Sequence, residues 1–465
     1  MHPTTWRKEL RITLPIALPM MAGQLSQMLV GVSDTVMIGR MGSVPLAAAA
    51  FANGIWHVLF LCGLGLTTGV SVFASRAVGA ERPRDAGEVL RHSLFIALVY
   101  GACIAVLCQS GYQALNFFGQ DPAVVRECIG YFVLVGWSTI PILAGFCLKQ
   151  FSEVFNRTAV PMWASFASVG INIFLNWILI FGNWGSPALG VTGAGIATLL
   201  ARIFFLVFMI AYISRNKVFA AALRIRWFAV LEIARIRNLI KIGWPASGHF
   251  VIEVGCFVFA AVMMGWIGPL QLAAHQIALT CAATTFMIPL GLSMAVTIRV
   301  GQCIGANELH RIRAICGGAI GLATALMMGT ALIFILARYQ IAGLFMQDPA
   351  TIAISGSLLL AAGVFQISDG LQVLAIGALR GLADVRVPMW LIAVAYWGIA
   401  IPLAWTAGFP WGFGAIGIWW ALASGLFIAA VLLLIRLHNR LQHLTADQAG
   451  AVVGDPIAKQ DGKSI

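Results

Sequence analysis

The sequence predicts an all-α integral membrane protein of twelve transmembrane helices, arranged as two six-helix lobes related by an internal repeat. Three observations predict it: too few charges to cover a water-facing surface, cations placed on one side of the apolar runs, and a first half that matches the second.

Soluble domains carry about 25% charged residues. Here 10% are charged and 60% hydrophobic, with a mean hydropathy of +0.91. Lipid must therefore be the solvent for most of the chain. The net charge of +12 comes from Lys and Arg in short clusters between apolar runs, a placement that excludes a nucleic-acid partner. The nine cysteines form no C-x-x-C pair, so neither a disulfide framework nor a zinc site is indicated. Arg7, Lys8 and Arg11 precede an apolar run from 12 to 38 with no small-residue cleavage site, so this run reads as an uncleaved first span.

A bilayer core takes about 20 apolar residues per helix. Breaks at charges and Gly/Pro clusters leave twelve cores: 12–38, 46–74, 93–115, 128–148, 160–182, 189–213, 242–264, 272–298, 314–337, 351–379, 387–407 and 413–435. Turn signals at 182–190, 265–269 and 408–414 divide the runs that are too long for one helix. The positive-inside rule tests this division. With both termini cytoplasmic, all 29 Lys and Arg fall on the inner side except Arg40, Arg126 and Arg338 outside and Arg202 within a span. A missed helix would have scrambled that asymmetry.

A shift of 226 positions lays Val36–Gly42 on Val262–Gly268 and pairs Pro19 with Pro245. It also pairs Leu64-Gly65-Leu66 with Leu290-Gly291-Leu292 and Gly79-Ala80 with Gly305-Ala306. One residue more pairs Gln120-Asp-Pro-Ala123 with Gln347-Asp-Pro-Ala350, and Val160–Trp163 with Val387–Trp390. Ordered matches across a whole half imply a duplication. Six spans per copy give both halves one orientation, with a site expected between them near the midplane. The organisation expected is a lobe at 1–213, a basic cytoplasmic linker at 214–241, a second lobe at 242–440 and a disordered tail at 441–465.

Of seventeen acidic residues, Asp34, Glu253 and Asp369 fall deep inside the expected spans. A charge at the bilayer centre costs at least ~2.5–3.5 kcal/mol, which folding alone does not explain. Arg202 and His249 are the nearest basic groups in sequence at such depth. If Glu253 and Asp369 stand about 5 Å apart, their repulsion is ~3 kcal/mol at an effective dielectric near 20. One of them then holds a proton, or a cation such as Na+ bridges the pair. Either outcome suits an ion-coupled transporter. The acids are not duplicated, because Asp34 aligns with Ala260 and Glu253 with Gln27.

Around Asp34, Asn172 and Asn176 share one face of the fifth span. With Thr198 they offer the oxygen ligands that hard cations prefer. Pro15 and Pro19 in the first span remove backbone hydrogen bonds and permit bending. Phe257, Met263, Met264, Phe286 and Met287 are aromatic or adaptable side chains suited to an organic-cation pocket.

Taken together, Asp34–Gly39, Ala273-Ala-His-Gln-Ile-Ala278, Pro289–Leu292, Glu253 and Gln366-Ile-Ser-Asp-Gly370 resemble the multidrug and toxic compound extrusion (MATE) family, in particular its NorM branch. The likeness runs from residue 10 to about 440. It implies antiport of cationic, amphipathic drugs against Na+ or H+, in the inner membrane of a bacterium, by a monomer that needs no cofactor and touches no partner besides drug and lipid. It implies coupling roles for Asp34, Glu253 and Asp369, with Asn172, Asn176, Thr198 and Gln276 as supporting polar ligands. Phe365 stands where some relatives have Tyr, so a hydroxyl is missing one turn before Asp369. A lipid-linked-precursor flippase would need cavity Arg or Lys for its phosphates. A membrane enzyme would need a nucleophile or metal-ligand cluster, and His57, His249 and His275 lie in separate spans. The sequence supports neither.

Overall fold

Apolar runs of this length satisfy their backbone groups in lipid only as helices, and the computed structural model has twelve. It describes residues 6–446. The spans are α1 (Trp6–Gly39), α2 (Ser43–Gly79), α3 (Pro83–Phe118), α4 (Pro122–Val154), α5 (Ala159–Phe181), α6 (Gly190–Arg215), α7 (Ile233–Ile267), α8 (Pro269–Gly305), α9 (Leu309–Leu336), α10 (Pro349–Gly381), α11 (Arg386–Gly408) and α12 (Gly414–Leu444). Each expected core lies inside its helix to within a residue.

The helices outrun those cores, and this corrects three expectations. First, Lys149 belongs to no loop. It lies inside α4, buried with Glu153 at 3.9 Å. Arg91, Arg299 and Arg380 are likewise helical and buried. Second, depth in a span and burial do not coincide: Glu9 and Glu153, outside the expected cores, are buried with Asp34 and Asp369, while Glu253 is half-buried. Third, the last helix continues to Ala446, so the expected disordered tail does not begin at 441. The rest of that tail, 447–465, lies outside the described residues.

The matched sequence words have local physical causes. In Gln-Asp-Pro-Ala, the Asp is an N-cap and the Pro opens the helix, where its missing N–H costs nothing. Asp121 accepts from Ala123 N at 2.7 Å ahead of α4, and Asp348 from Thr351 N at 2.8 Å ahead of α10. The Thr351 hydroxyl and N–H hold the exposed Asp348 carboxyl below the usual carboxylate range. Repeat-related helix ends also close alike. After α2, Arg82 N bonds Ala77 O at 2.8 Å, and after α8, Glu308 N bonds Cys303 O at 2.8 Å. The left-handed residues of these turns, Glu81 (φ 59°) and Asn307 (φ 58°), are related by the same shift.

The lobes meet along a seam of glycines. A Cβ on Gly79 of α2 would stand 2.1 Å from Gln302 O of α8, and one on Gly305 would stand 2.0 Å from Arg76 O. The 226-residue shift interchanges these two contacts. It also interchanges Gly65 against Ser247 N (2.3 Å) with Gly291 against Met21 Cα (2.5 Å). The duplicated glycines are therefore where one backbone passes another.

Hydrogen bonds crossing the seam gather toward the end of the bundle that carries the termini and most of the cations. Ser247 Oγ donates to Cys62 O at 2.6 Å, and Gln302 Nε2 to Val154 O at 2.8 Å. At that basic end Glu9 of the first lobe, fully buried, pairs with Arg299 and with Arg311 Nε (2.8 Å) of the second. Arg311 is shared with Glu308. Among the described residues, the crossing hydrogen bond furthest from that end joins Thr284 Oγ1 to Met28 Sδ at 3.3 Å.

Candidate functional site: two acidic clusters, one in each lobe

In the first lobe α1, α5 and α6 converge on Asp34. The side chain is buried, eleven to twelve residues past the middle of α1. Asn176 Nδ2 donates to its Oδ1 at 2.6 Å, and Thr198 Oγ1 to its Oδ2 at 3.5 Å. Asn176 also donates to Asn172 Oδ1 at 3.3 Å, and Asn172 Nδ2 to Thr198 Oγ1 at 3.4 Å. The four residues singled out in the sequence thus form one closed network. Arg202 lies within electrostatic reach of Asp34 but makes no ion pair with it. Its guanidinium instead sits 4.3 Å over the Trp56 ring and donates to Ser138.

In the second lobe Glu253 lies three residues past the middle of α7, and Asp369 four residues past the middle of α10. Gln372 Nε2 donates to Glu253 Oε1 at 3.1 Å, and Tyr396 OH donates to Gln372 Oε1 at 2.8 Å. His249 Nε2 stands 3.4 Å from Glu253 Oε2, although neither ring nitrogen makes a hydrogen bond among the described residues. His249, one of the two basic groups noted at such depth in the sequence, is this neighbour: four residues back along α7 places it on the same face as Glu253. Asp369 is buried, accepts no hydrogen bond from a described side chain, and feels the charge of Glu253.

Each lobe also holds a buried amide oxygen without a partner: Asn176 Oδ1 in the first and Gln366 Oε1 in the second. Gln366, one turn before Asp369, has its amide nitrogen committed to Thr285. A buried acceptor left unpaired costs roughly 1–3 kcal/mol, and a hard cation is the natural partner for such an oxygen beside a carboxylate. Asp34, Asn172, Asn176 and Thr198 offer the oxygens of one such set; in the second lobe Glu253 and Asp369 lie within electrostatic reach of each other, with Gln366 one turn before Asp369 on α10. Both donor sets fit Na+, and the carboxylates alone fit a proton.

Other expected residues fall elsewhere. Phe365 is buried against Trp419, with ring centroids 5.6 Å apart, and packs in the second lobe's core. Phe257 and Phe286 pack half-buried on that core, and Met287 is half-buried nearby. Gln276 is exposed and joins neither network; Thr284, two turns on, is exposed on the same helix and Thr280 between them is half-buried. Pro15 and Pro19 lie inside an unbroken α1. Sequence reasoning missed Gln372 and Tyr396. The signal for the first was a Gln three residues after Asp369 in an otherwise apolar run; for Tyr396 there was none.

Twelve spans, two repeated lobes and buried acids in both define a two-lobed membrane transport protein. A family model described as MatE matches residues 19–178 and again 245–406, two segments whose starts are 226 residues apart. The chain belongs to that family. It is similar to the probable multidrug resistance protein NorM of Bradyrhizobium diazoefficiens, 36% identical over 436 residues, 93% of this chain and 94% of the relative. The likewise named protein of Rhodopseudomonas palustris is 36% identical over 461 residues, 97% and 95% of the two chains. The fold is that of the Vibrio cholerae MATE transporter VcmN, with a TM-score of 0.87 at 20% identity over 94% of this chain and 98% of that one. A structure described as the outward-facing conformation of a multidrug resistance MATE family transporter gives 0.85 at 19% identity, over 96% and 98%.

Proposed function

We propose that this protein is a secondary multidrug exporter that exchanges cationic, amphipathic drugs for Na+ or H+ by alternating access of its lobes. One observation carries the reading: each lobe buries carboxylate in a membrane-spanning helix without an Arg or Lys ion pair, beside a buried amide oxygen that has no partner. Such groups are costly in hydrocarbon and become favourable when a cation visits. Drug and coupling ion then compete for, or are linked through, the same negative charge. Inward movement of the ion along 100 mV supplies about 2.3 kcal/mol per charge.

In this reading the basic end is cytoplasmic, in the inner membrane of a bacterium, and the protein works as a monomer without a cofactor. The lobes are 1–213 and 242–440, joined by the basic linker 214–241. The contacts gathered at the basic end correspond to a state closed to the cytoplasm. Pro15 and Pro19 leave the carbonyls of Arg11 and Pro15 free of helical partners, so α1 bends at low cost when the lobes part. The test is ethidium efflux from cells or everted vesicles under imposed Na+ or pH gradients. The protein should lower ethidium accumulation when a gradient is present. Equal efflux with and without both gradients would refute the exchange.

A further inference from the structure

The second-lobe acid is held by a chain that reaches across three helices. Tyr396 OH of α11 donates to Gln372 Oε1 of α10, and Gln372 Nε2 donates to Glu253 Oε1 of α7. We propose that Gln372 and Tyr396 are positioning residues for the second-lobe cation site. They fix which face of the Gln372 amide, and so which oxygen of Glu253, is taken before a cation arrives. The inference rests on the reading of Glu253 as a coupling acid.

The argument is one of donors and acceptors. An amide presents a donor at one end and an acceptor at the other, and a half-turn about its last bond exchanges them. A carboxylate accepts only, so Gln372 supports Glu253 when Nε2 faces it and opposes it when Oε1 does. The Tyr396 hydroxyl favours the first, because it donates to the amide oxygen at 2.8 Å and lies within hydrogen-bonding reach of Glu253 as well. Tyr396 and Gln372 are both fully buried, so water cannot substitute for either partner. With Oε1 so occupied, Glu253 Oε2 is left for a cation, facing His249 Nε2 at 3.4 Å.

Two further features fit a purpose-built arrangement. Tyr396 lies in a π-helical stretch, Val394–Ala400. The wider turn is rare and frequently found at functional sites. The chain is also particular to this lobe: the 227-residue shift places Gly145 opposite Gln372 and Val169 opposite Tyr396. A scaffold role inherited from the duplicated unit would have left polar residues in both copies.

The test compares Y396F, Q372M and the double variant with E253Q, in proteoliposomes loaded with ethidium and driven by graded Na+ or proton gradients. The half-saturating concentration of the driving cation should shift at least fivefold in Y396F and in Q372M. It should shift upward if Na+ drives, since a pre-oriented ligand is lost, and downward if protons drive, since Y396F frees an amide oxygen that accepts from a protonated carboxyl and Q372M removes the donor that favours the charged one. Maximum rate and ethidium KM should stay within twofold. The double variant should match the larger single effect, because both changes break one chain. A lower melting temperature or maximum rate with unchanged half-saturation would mark a structural role and overturn the inference. So would wild-type cation dependence in both single variants while E253Q loses it. If E253Q itself keeps wild-type dependence, the coupling role of Glu253 fails instead. Should one single variant not fold, the other decides.

Discussion

The two lobes descend from one unit, yet their acidic clusters are built on opposite principles. In the first, Asp34 stands about 17 Å along α1 from the helix middle, takes hydrogen bonds from Asn176 and Thr198, and has the Arg202 charge in reach. In the second, Glu253 and Asp369 lie near their helix middles, put two carboxylates within electrostatic reach of each other, and leave Asp369 with no described donor. Each cluster has one Arg within electrostatic reach, Arg202 in the first and Arg380 in the second, but the first sets it against one carboxylate and the second against two. The backbone repeat was kept while the polar residues diverged: Asn172, Asn176 and Asp34 face Ile399, Leu403 and Ala260 under the shifts. A duplicated scaffold holds the geometry, so each lobe is free to lose or gain charge separately.

That contrast is breakable, and the largest effects should come from the acids of the two clusters. D369N or E253Q should lower cation-driven ethidium efflux at least 100-fold, in the vesicle assay. D34N should abolish efflux too, but purified D34N should retain cation binding at the second lobe. Isothermal titration with Na+ would show whether that binding survives; its loss would mean the clusters are one site.

Next in size is the ion cluster at the basic end. E9Q leaves Arg299 buried with one charged partner fewer, and breaking a buried pair in this way costs ~3–5 kcal/mol. A lower melting temperature in detergent is expected, with labelled lobes spending more time separated at the basic end in spin-label distance measurements. If E9Q changed neither, the cluster would have no part in holding the lobes. G79A or G305A should act at the same seam for a different reason: each adds a methyl against a backbone oxygen, an overpacking of ~1–3 kcal/mol. Because the two contacts are interchanged by the repeat, the two variants should behave alike in melting temperature and efflux. Unequal effects would show the seam to be less symmetric than its backbone. Smallest is Q276A, whose efflux should stay within twofold of wild type, since Gln276 joins neither cluster.

Much of this was legible in the sequence because the bilayer simplifies the problem. Span length, cation placement and helix count follow from hydrocarbon thickness and charge cost, so every expected core fell inside its helix to within a residue. Asp34, Asn172, Asn176 and Thr198 were legible as a set because two Asn one turn apart in an apolar helix have few other uses. Glu9 and Glu153 were not, for they lie near helix ends where carboxylates are usually solvated, and only tertiary packing buries them. The packing of Phe365 was not legible, because its stacking partner Trp419 comes from a helix 54 positions away. Tyr396 stayed hidden because a π-helical stretch shifts which side chains share a face, and no periodicity in the sequence announces it.

The cluster of Glu9, Arg299, Arg311 and Glu308 has one more implication. Glu9 and Arg299, buried in this conformation, must be hydrated if the lobes swing apart there, so each cycle of the proposed exchange would draw water molecules out of the bulk and return them. Water activity then becomes a term in the rate of the conformational exchange, and an impermeant osmolyte bathing that end would slow turnover without touching drug, ion or voltage.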